Sequence, residues 1–203
     1  MAKRSFIEKK RKILTLLFSM VLGVLILFSQ SRLEEVYFLS EIFYFTGIII
    51  VGVATVGRLW CSLYIGGHKT KELITVGPYS ICRNPLYFFS FLGGIGIGFA
   101  SETLTVTLLI FSAFLFYYPF VIRSEEKKLL RIHGSDFDRY MSKTPRFFPS
   151  LAGLYEPEEY TVRPRLFKRR IFDALWFVWI AGILELVEAL HEYNVIPRLF
   201  RLW

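Results

Sequence analysis

Residues 86–122 read LYFFSFLGGIGIGFASETLTVTLLIFSAFLFYYPFVI, two apolar runs parted by Ser101-Glu102. Glu102 is the only charge in the stretch, and Thr103–Ile122 has none. About 18 or more apolar residues match the hydrocarbon thickness of a bilayer. Only hydrogen-bonded helices or closed barrels cross such a medium, and this run is too long and too unalternating for a barrel strand. The first run, Leu86–Ala100, is shorter and follows Pro85, so it must tilt, start deep or be flanked by protein. The two-residue link makes the pair a tight antiparallel hairpin. Gly94 and Gly98 have GxxxG spacing, which lets another helix approach closely. The run Gly93–Gly98 looks superficially like a dinucleotide loop, but it lies inside an apolar helix with no strand before it, so packing is its reading.

The same pattern extends outward. Ile13–Ser29 is uncharged and Tyr37–Gly57 carries only Glu41. No small-x-small cleavage site follows the first block, so it reads as a retained helix. The basic cluster Lys3-Arg4 and Lys9–Lys12 places the N-terminus in the cytoplasm. Ser31–Val36 is then an outer link, and a second helix returns over Tyr37–Leu59, with Arg58 and Trp60 at its inner end. Tyr64–Asn84 reads as loop. Arg123–Lys143 reads as a charged helix along or below the membrane, broken near Gly134 and ended by Pro145 and Pro149. Beyond the polar connector Tyr155–Arg170, Ile171–Leu190 is apolar except for Asp173, Glu185 and Glu188. It reads as a fifth membrane helix or as an interfacial amphipathic helix.

The expected fold is therefore an all-α, multi-pass integral membrane protein. It has about five transmembrane helices and a cytoplasmic-side pocket formed by loops and a C-terminal interfacial helix. Its segments are 1–59 (two membrane helices), 60–150 (a catalytic core) and 151–203 (connector and last helix). Of the 203 residues, 54% are hydrophobic, and the net charge is +8. The basic residues flank apolar segments, so anionic membrane lipids rather than nucleic acid are the expected partner. Cys61 and Cys82 lie near the cytoplasmic face and are expected as free thiols. They form no CxxC, and His68, His133 and His191 are scattered, so no metal site is expected.

Two polar islands lie on one side of this plan. The first is Lys71–Tyr87; the second is Glu125-Glu126 with the segment through Pro145-Arg146-Phe147-Phe148-Pro149. The hairpin carries one at each end, so they must meet as a composite pocket. Arg83, Asn84, Tyr79 and Tyr87 offer donors and aromatic faces, and the Leu73–Val76 backbone can pair with the edge of a planar base. Glu125 and Glu126 offer anions for a cation. A ligand with an adenine-like ring and a positive charge suits this set, and S-adenosylmethionine has both. Taken singly the features are bland: Gly77-Pro78-Tyr79 is a turn, and Glu125–Lys128 is by default a solvated helix face.

The string Gly77-Pro78-Tyr79-Ser80, then Arg83-Asn84-Pro85-Leu86-Tyr87, a hairpin, Glu125-Glu126 and Pro145-Arg146…Pro149 resembles the isoprenylcysteine carboxyl methyltransferase family over about Trp60–Pro149. Phospholipid N-methyltransferases are more distant relatives. The resemblance implies S-adenosylmethionine as cofactor, held by Tyr64, by Lys71, Glu72, Leu73 and Ile74, by Tyr79, by Asn84, Pro85, Leu86 and Tyr87, and by Glu125 with Glu126. Arg83, Glu125 and Arg123 are the catalytic candidates. The family commonly has His at the position of Asn84, which cannot titrate near neutrality. The arginine that contacts the substrate carboxylate in eukaryotic members falls on Val121, with Arg123 two residues on. The implied substrate is lipophilic and enters from the bilayer, as a prenylcysteine-like carboxylate, a lipid amine or a small acid or thiol. A sterol-reductase-type NADPH enzyme and a non-catalytic scaffold are the alternatives.

Overall fold

The computed structural model describes residues 6–66 and 72–203. Lys3 and Arg4, and the loop residues His68, Lys69 and Lys71, lie outside the described residues. Seven helices follow in order: α1 Phe6–Phe28, α2 Tyr37–Ile65, α3 Pro78–Ile81, α4 Pro85–Ala100, α5 Leu104–His133, α6 Ser135–Lys143 and α7 Pro164–Glu192. Single turns of 3-10 helix stand at Leu33–Glu35 and Leu151–Gly153. The fold is helical, with one addition that the sequence reading lacked. Strands β1 (Ser29–Ser31) and β2 (Phe200–Leu202) pair in parallel, Ser29 opposite Phe200. The Arg201–Glu35 ion pair at 3.3 Å and Arg32 over the Trp203 ring at 4.8 Å fix this corner. Arg201 thus has a local partner in Glu35.

Among the described residues two helices, α2 and α5, are long and apolar enough to cross a membrane. Their outward faces carry Phe45, Val56, Leu115, Phe116 and Phe120, all more than half exposed. Such a surface is a liability in water and at home in hydrocarbon. α4, of 16 residues, is shorter than a full span.

α5 corrects the expected boundary at Ile122. It runs unbroken for 30 residues, with Pro119 inside it, so Arg123–His133 is the continuation of the apolar helix and not a separate element. A proline interior to a helix removes one hydrogen bond, but in apolar surroundings any other backbone path would leave more groups unpaired. The break comes at Gly134, whose φ of +52° ends the helix. Likewise α2 continues past Leu59 to Ile65.

The glycines of α4 serve three neighbours at once. A Cβ on Gly96 would lie 2.9 Å from the backbone oxygen of Gly47 in α2. One on Gly98 would lie 2.7 Å from Thr107 Cα in α5, and one on Gly93 2.7 Å from the Phe177 ring in α7. Packing of this kind, not a single GxxxG seam, explains the composition of the run. α7 lies against α2 and α4, and its Ala181 and Leu184 join Val51, Ile97 and Ala100 in a buried cluster. The α2–α4 contact is the tightest. Replacing Gly47 by leucine, whose Cβ would stand 2.7 Å from the Gly96 carbonyl oxygen, is expected to cost about 3 kcal/mol, because backbone cannot yield as a side chain does. A melting temperature in detergent equal to that of the wild type would refute this packing.

Candidate functional site

α4 and α5 form the hairpin, and the two polar islands meet at its open end. The Arg83 N–H donates to the Pro145 carbonyl at 2.9 Å, and the Ser150 N–H to the Ile81 carbonyl at 2.9 Å. Pro145–Ser150 therefore runs alongside Ile81–Arg83. Pro85 opens α4 at its first turn, where its missing N–H costs nothing, and Asn84 at the cap turns the chain into the helix.

Above this junction is a cavity of about 270 Å³. Among the residues expected to hold the cofactor, Glu72, Leu73, Ile74, Tyr79, Asn84, Pro85, Leu86, Tyr87 and Glu125 line it, and so does Arg83. Leu73–Thr75 is neither helix nor strand, so its peptide groups stand at the cavity outside any regular ladder. Three expected residues stand elsewhere. Arg123 is exposed on α5, outside the lining. Glu126 is buried beneath it. Tyr64 lies behind the loop, its ring 4.6 Å from that of Tyr160. Lys71 lies outside the described residues.

Helix geometry explains why neighbouring Glu125 and Glu126 part company. Successive helical residues point about 100° apart. Glu125 falls in the stripe Tyr118–Glu125–Leu129, which faces the cavity. Glu126 falls one turn after buried Ile122 and points at the junction. There its Oε2 meets Arg146 Nε at 3.0 Å and its Oε1 meets Arg83 Nε at 3.3 Å. Asn84 Nδ2 donates to Glu126 Oε1 at 3.2 Å and to the Arg146 carbonyl at 3.0 Å. The amide expected to touch a cofactor is thus engaged in tying the cavity floor together.

Tyr79 combines burial with an unused hydroxyl. Its Oη has no hydrogen-bond partner, while its carbonyl accepts from Tyr140 Oη at 2.6 Å. Burial, with Cys61, Tyr140 and Glu125 nearby, holds its pKa well above the phenolic range. The group therefore stays a neutral donor. Burial likewise raises Cys82 to about 11. Cys61 and Cys82 are both buried free thiols.

Sequence reasoning missed Arg58, Ile65, Ser90, Tyr118, Lys128, Leu129 and Tyr140, which complete the lining. The heptad step from Tyr118 to Glu125 was a usable signal for one of them. It also missed the strap Tyr155–Tyr160. The Gly77 N–H donates to the Tyr155 carbonyl at 2.8 Å, Trp60 Nε1 to Glu156 Oε1 at 2.9 Å, and Tyr160 Oη to the Tyr64 carbonyl at 2.7 Å. These contacts hold the loop before α3 from behind. No group of three or more His, Cys, Asp or Glu is placed to hold a metal ion among the described residues.

The helical hairpin and most of the long apolar helix before it fall within residues 42–136, which match the model of the phospholipid methyltransferase family. The chain belongs to this family, which includes the isoprenylcysteine carboxyl methyltransferase-like proteins. It is 41% identical over 172 residues to the cobalt-zinc-cadmium resistance protein CzcN of Cupriavidus metallidurans, covering 84% of this chain and 78% of that one. It is 42% identical over 151 residues to the nickel-cobalt-cadmium resistance protein NccN of Alcaligenes xylosoxydans xylosoxydans, covering 74% and 70%. No solved structure matches the chain.

Proposed function

We propose that this protein is a multi-pass membrane methyltransferase that uses S-adenosylmethionine to methylate a lipophilic molecule drawn from the bilayer. The observation that carries the reading is the single cavity lined by nine of the residues that the family resemblance implies for the cofactor, Glu72 through Tyr87 and Glu125. Its chemistry suits the ligand. Glu125 supplies an anion for a positively charged end. Tyr87 and Tyr118, with ring centroids 5.4 Å apart, supply aromatic surface, and Tyr79 supplies a buried unused hydroxyl. The names of CzcN and NccN add a setting, resistance to cobalt, zinc, cadmium and nickel, in which such a modification would act.

The cavity faces the cytoplasm in this reading. Lys127, Lys128, Arg146 and Lys168–Arg170 lie toward its end of the bundle, against Arg32 and Arg201 at the other, where β1 pairs with β2. Once bound, the cofactor supplies an electrophilic methyl group on a sulfonium. The protein's task is alignment of an acceptor within about 3–3.5 Å of that methyl. Leu73, Ile74, Pro85, Leu86 and Leu129 keep water out. For an anionic acceptor, attack on a sulfonium destroys charge, so a site of low polarity favours the step.

The test is calorimetry with S-adenosylhomocysteine on detergent-purified protein. Wild type binds, and Tyr87→Ala and Glu125→Ala each weaken binding at least about tenfold, the loss of one stacking or charge-assisted contact. NADPH gives no heat. Absence of S-adenosylhomocysteine binding by the wild type sinks the reading.

A further inference from the structure

Arg58 is an exception in α2. Seven residues before the helix ends at Ile65, it breaks an otherwise apolar stretch. Its guanidinium does not reach past the bundle. Nη1 donates to Ser90 Oγ of α4, and Nη2 donates to the Asp173 carbonyl of α7 at 3.2 Å. The group lies 5.4 Å from the Phe177 ring centroid. Its Nε is buried without a hydrogen-bond partner. These neighbours are neutral. The Asp173 carboxylate belongs to Arg170 at 3.1 Å, and among the described residues no carboxylate forms an ion pair with Arg58. Arg58 is half-buried, with only neutral hydrogen-bond partners and with its nearest acid, Asp173, paired to Arg170; such a cation inside an apolar helix marks a ligand route.

Three cavities meet at this residue. One is the 270 Å³ cavity already described. A second, of about 230 Å³, shares Arg58, Ile65 and Leu86 with it and adds Ser62, Leu166, Arg170 and Asp173. A third, of about 280 Å³, is lined by Arg58, Phe172, Asp173, Trp176 and Phe177, and Phe172 and Trp176 are largely exposed. Arg58 is thus the common wall between the methyl-donor cavity and an aromatic-sided groove between α2 and α7.

We propose that Arg58, with Ser90, anchors the anionic head of a lipophilic methyl acceptor that enters between α2 and α7. This rests on the methyltransferase reading above. The free Nε–H supplies a charge-assisted donor to an oxyanion, and Phe172 and Trp176 flank the apolar body. Two sources share this chemistry. In a lipophilic carboxylic acid the anchored oxygen is itself methylated: an O–CH3 bond forms, the S–CH3 bond breaks with its electron pair going to sulfur, and no proton is released. In a phospholipid amine the phosphate is anchored: an N–CH3 bond forms as the S–CH3 bond breaks, and nitrogen releases one proton to solvent.

The experiment is binding of dodecylthioacetic acid, its uncharged amide and lysophosphatidylethanolamine to the detergent-purified full chain, with S-adenosylhomocysteine measured separately. Wild type is expected to prefer the acid to the amide, and Arg58→Gln to lose about 30-fold in acid affinity, as for a lost charged hydrogen bond. An unchanged far-UV circular dichroism spectrum and melting temperature for Arg58→Gln show that the variant is folded. Preference for the lysophospholipid over the acid, lost in the same variant, assigns the anchor to a phosphate. Equal binding of acid and amide by wild type, with no lysophospholipid binding, overturns the proposal without need of any variant. So does acid binding that survives Arg58→Gln. Acid selectivity without S-adenosylhomocysteine binding would leave the anion site standing and remove the methyltransferase reading instead.

Discussion

Glu126→Ala is expected to destabilise the protein by about 3–5 kcal/mol, the range for stripping a buried ion pair of one partner. The carboxylate serves Arg83, Arg146 and Asn84 together. Exposure decides which of these matters. The side chains of Arg83 and Glu126 are 9% and 8% exposed, whereas that of Arg146 is 51% exposed. The Arg146 arm is screened by water and contributes about 1 kcal/mol at most. The Arg83 arm leaves a buried guanidinium with no acid beside it once Glu126 is gone. Asn84 loses one of its two acceptors as well. Glu126→Gln, which keeps an acceptor of the same shape, should fall between Glu126→Ala and Arg146→Ala. Melting temperatures of the three variants in one detergent check the order. The argument fails if Arg146→Ala costs as much as Glu126→Ala. Because Arg83 and Asn84 line the cavity, Glu126→Ala should also weaken S-adenosylhomocysteine binding, although Glu126 does not line the cavity.

That residue also shows what was legible in the sequence. The hairpin could be read directly, since Ser101-Glu102 leaves no room for anything else. The meeting of the islands at its open end followed from the same constraint. The division of labour between Glu125 and Glu126 did not follow, although their rotation on a helix is elementary. It required knowing that α5 continues past Ile122, and the onset of charge at Arg123 looks like a boundary. Composition marks where a chain leaves an apolar medium. It does not mark where a helix ends, and here only Gly134 does that. Arg58 was hidden for the converse reason. A lone arginine near the end of an apolar run is usually an interface anchor. Its inward aim depends on Ser90 and Asp173, which are 32 and 115 residues away in sequence. The strap Tyr155–Tyr160 and the β1–β2 pair are likewise contacts between distant segments, with no local periodicity to announce them.

Gly77→Ala should act on the loop itself. Gly77 has φ +58° and ψ −132°, a region that is essentially glycine's own. A side chain there costs about 1–3 kcal/mol in backbone strain alone. Space is also lacking, since a Cβ would stand 2.5 Å from Tyr64 Cε2. Tyr64 has little freedom to withdraw. Tyr160 packs on its ring at 4.6 Å and donates to its carbonyl, and its hydroxyl meets Glu156 Oε1 at 3.4 Å. The easier escape is for the loop to leave, breaking the bond from the Gly77 N–H to the Tyr155 carbonyl. That would move Glu72–Ile74 off the cavity wall. A loss of about 3 kcal/mol in the bound conformation corresponds to roughly a hundredfold weaker S-adenosylhomocysteine binding. The global melting temperature should fall less than for Glu126→Ala, because the loop can open locally while the helices stay packed. Combining Gly77→Ala with Tyr64→Ala separates the two causes. If crowding dominates, the double variant recovers affinity relative to Gly77→Ala, and if backbone strain dominates it does not. An affinity within about twofold of wild type for Gly77→Ala would mean that neither cause operates and that the loop does not hold the ligand.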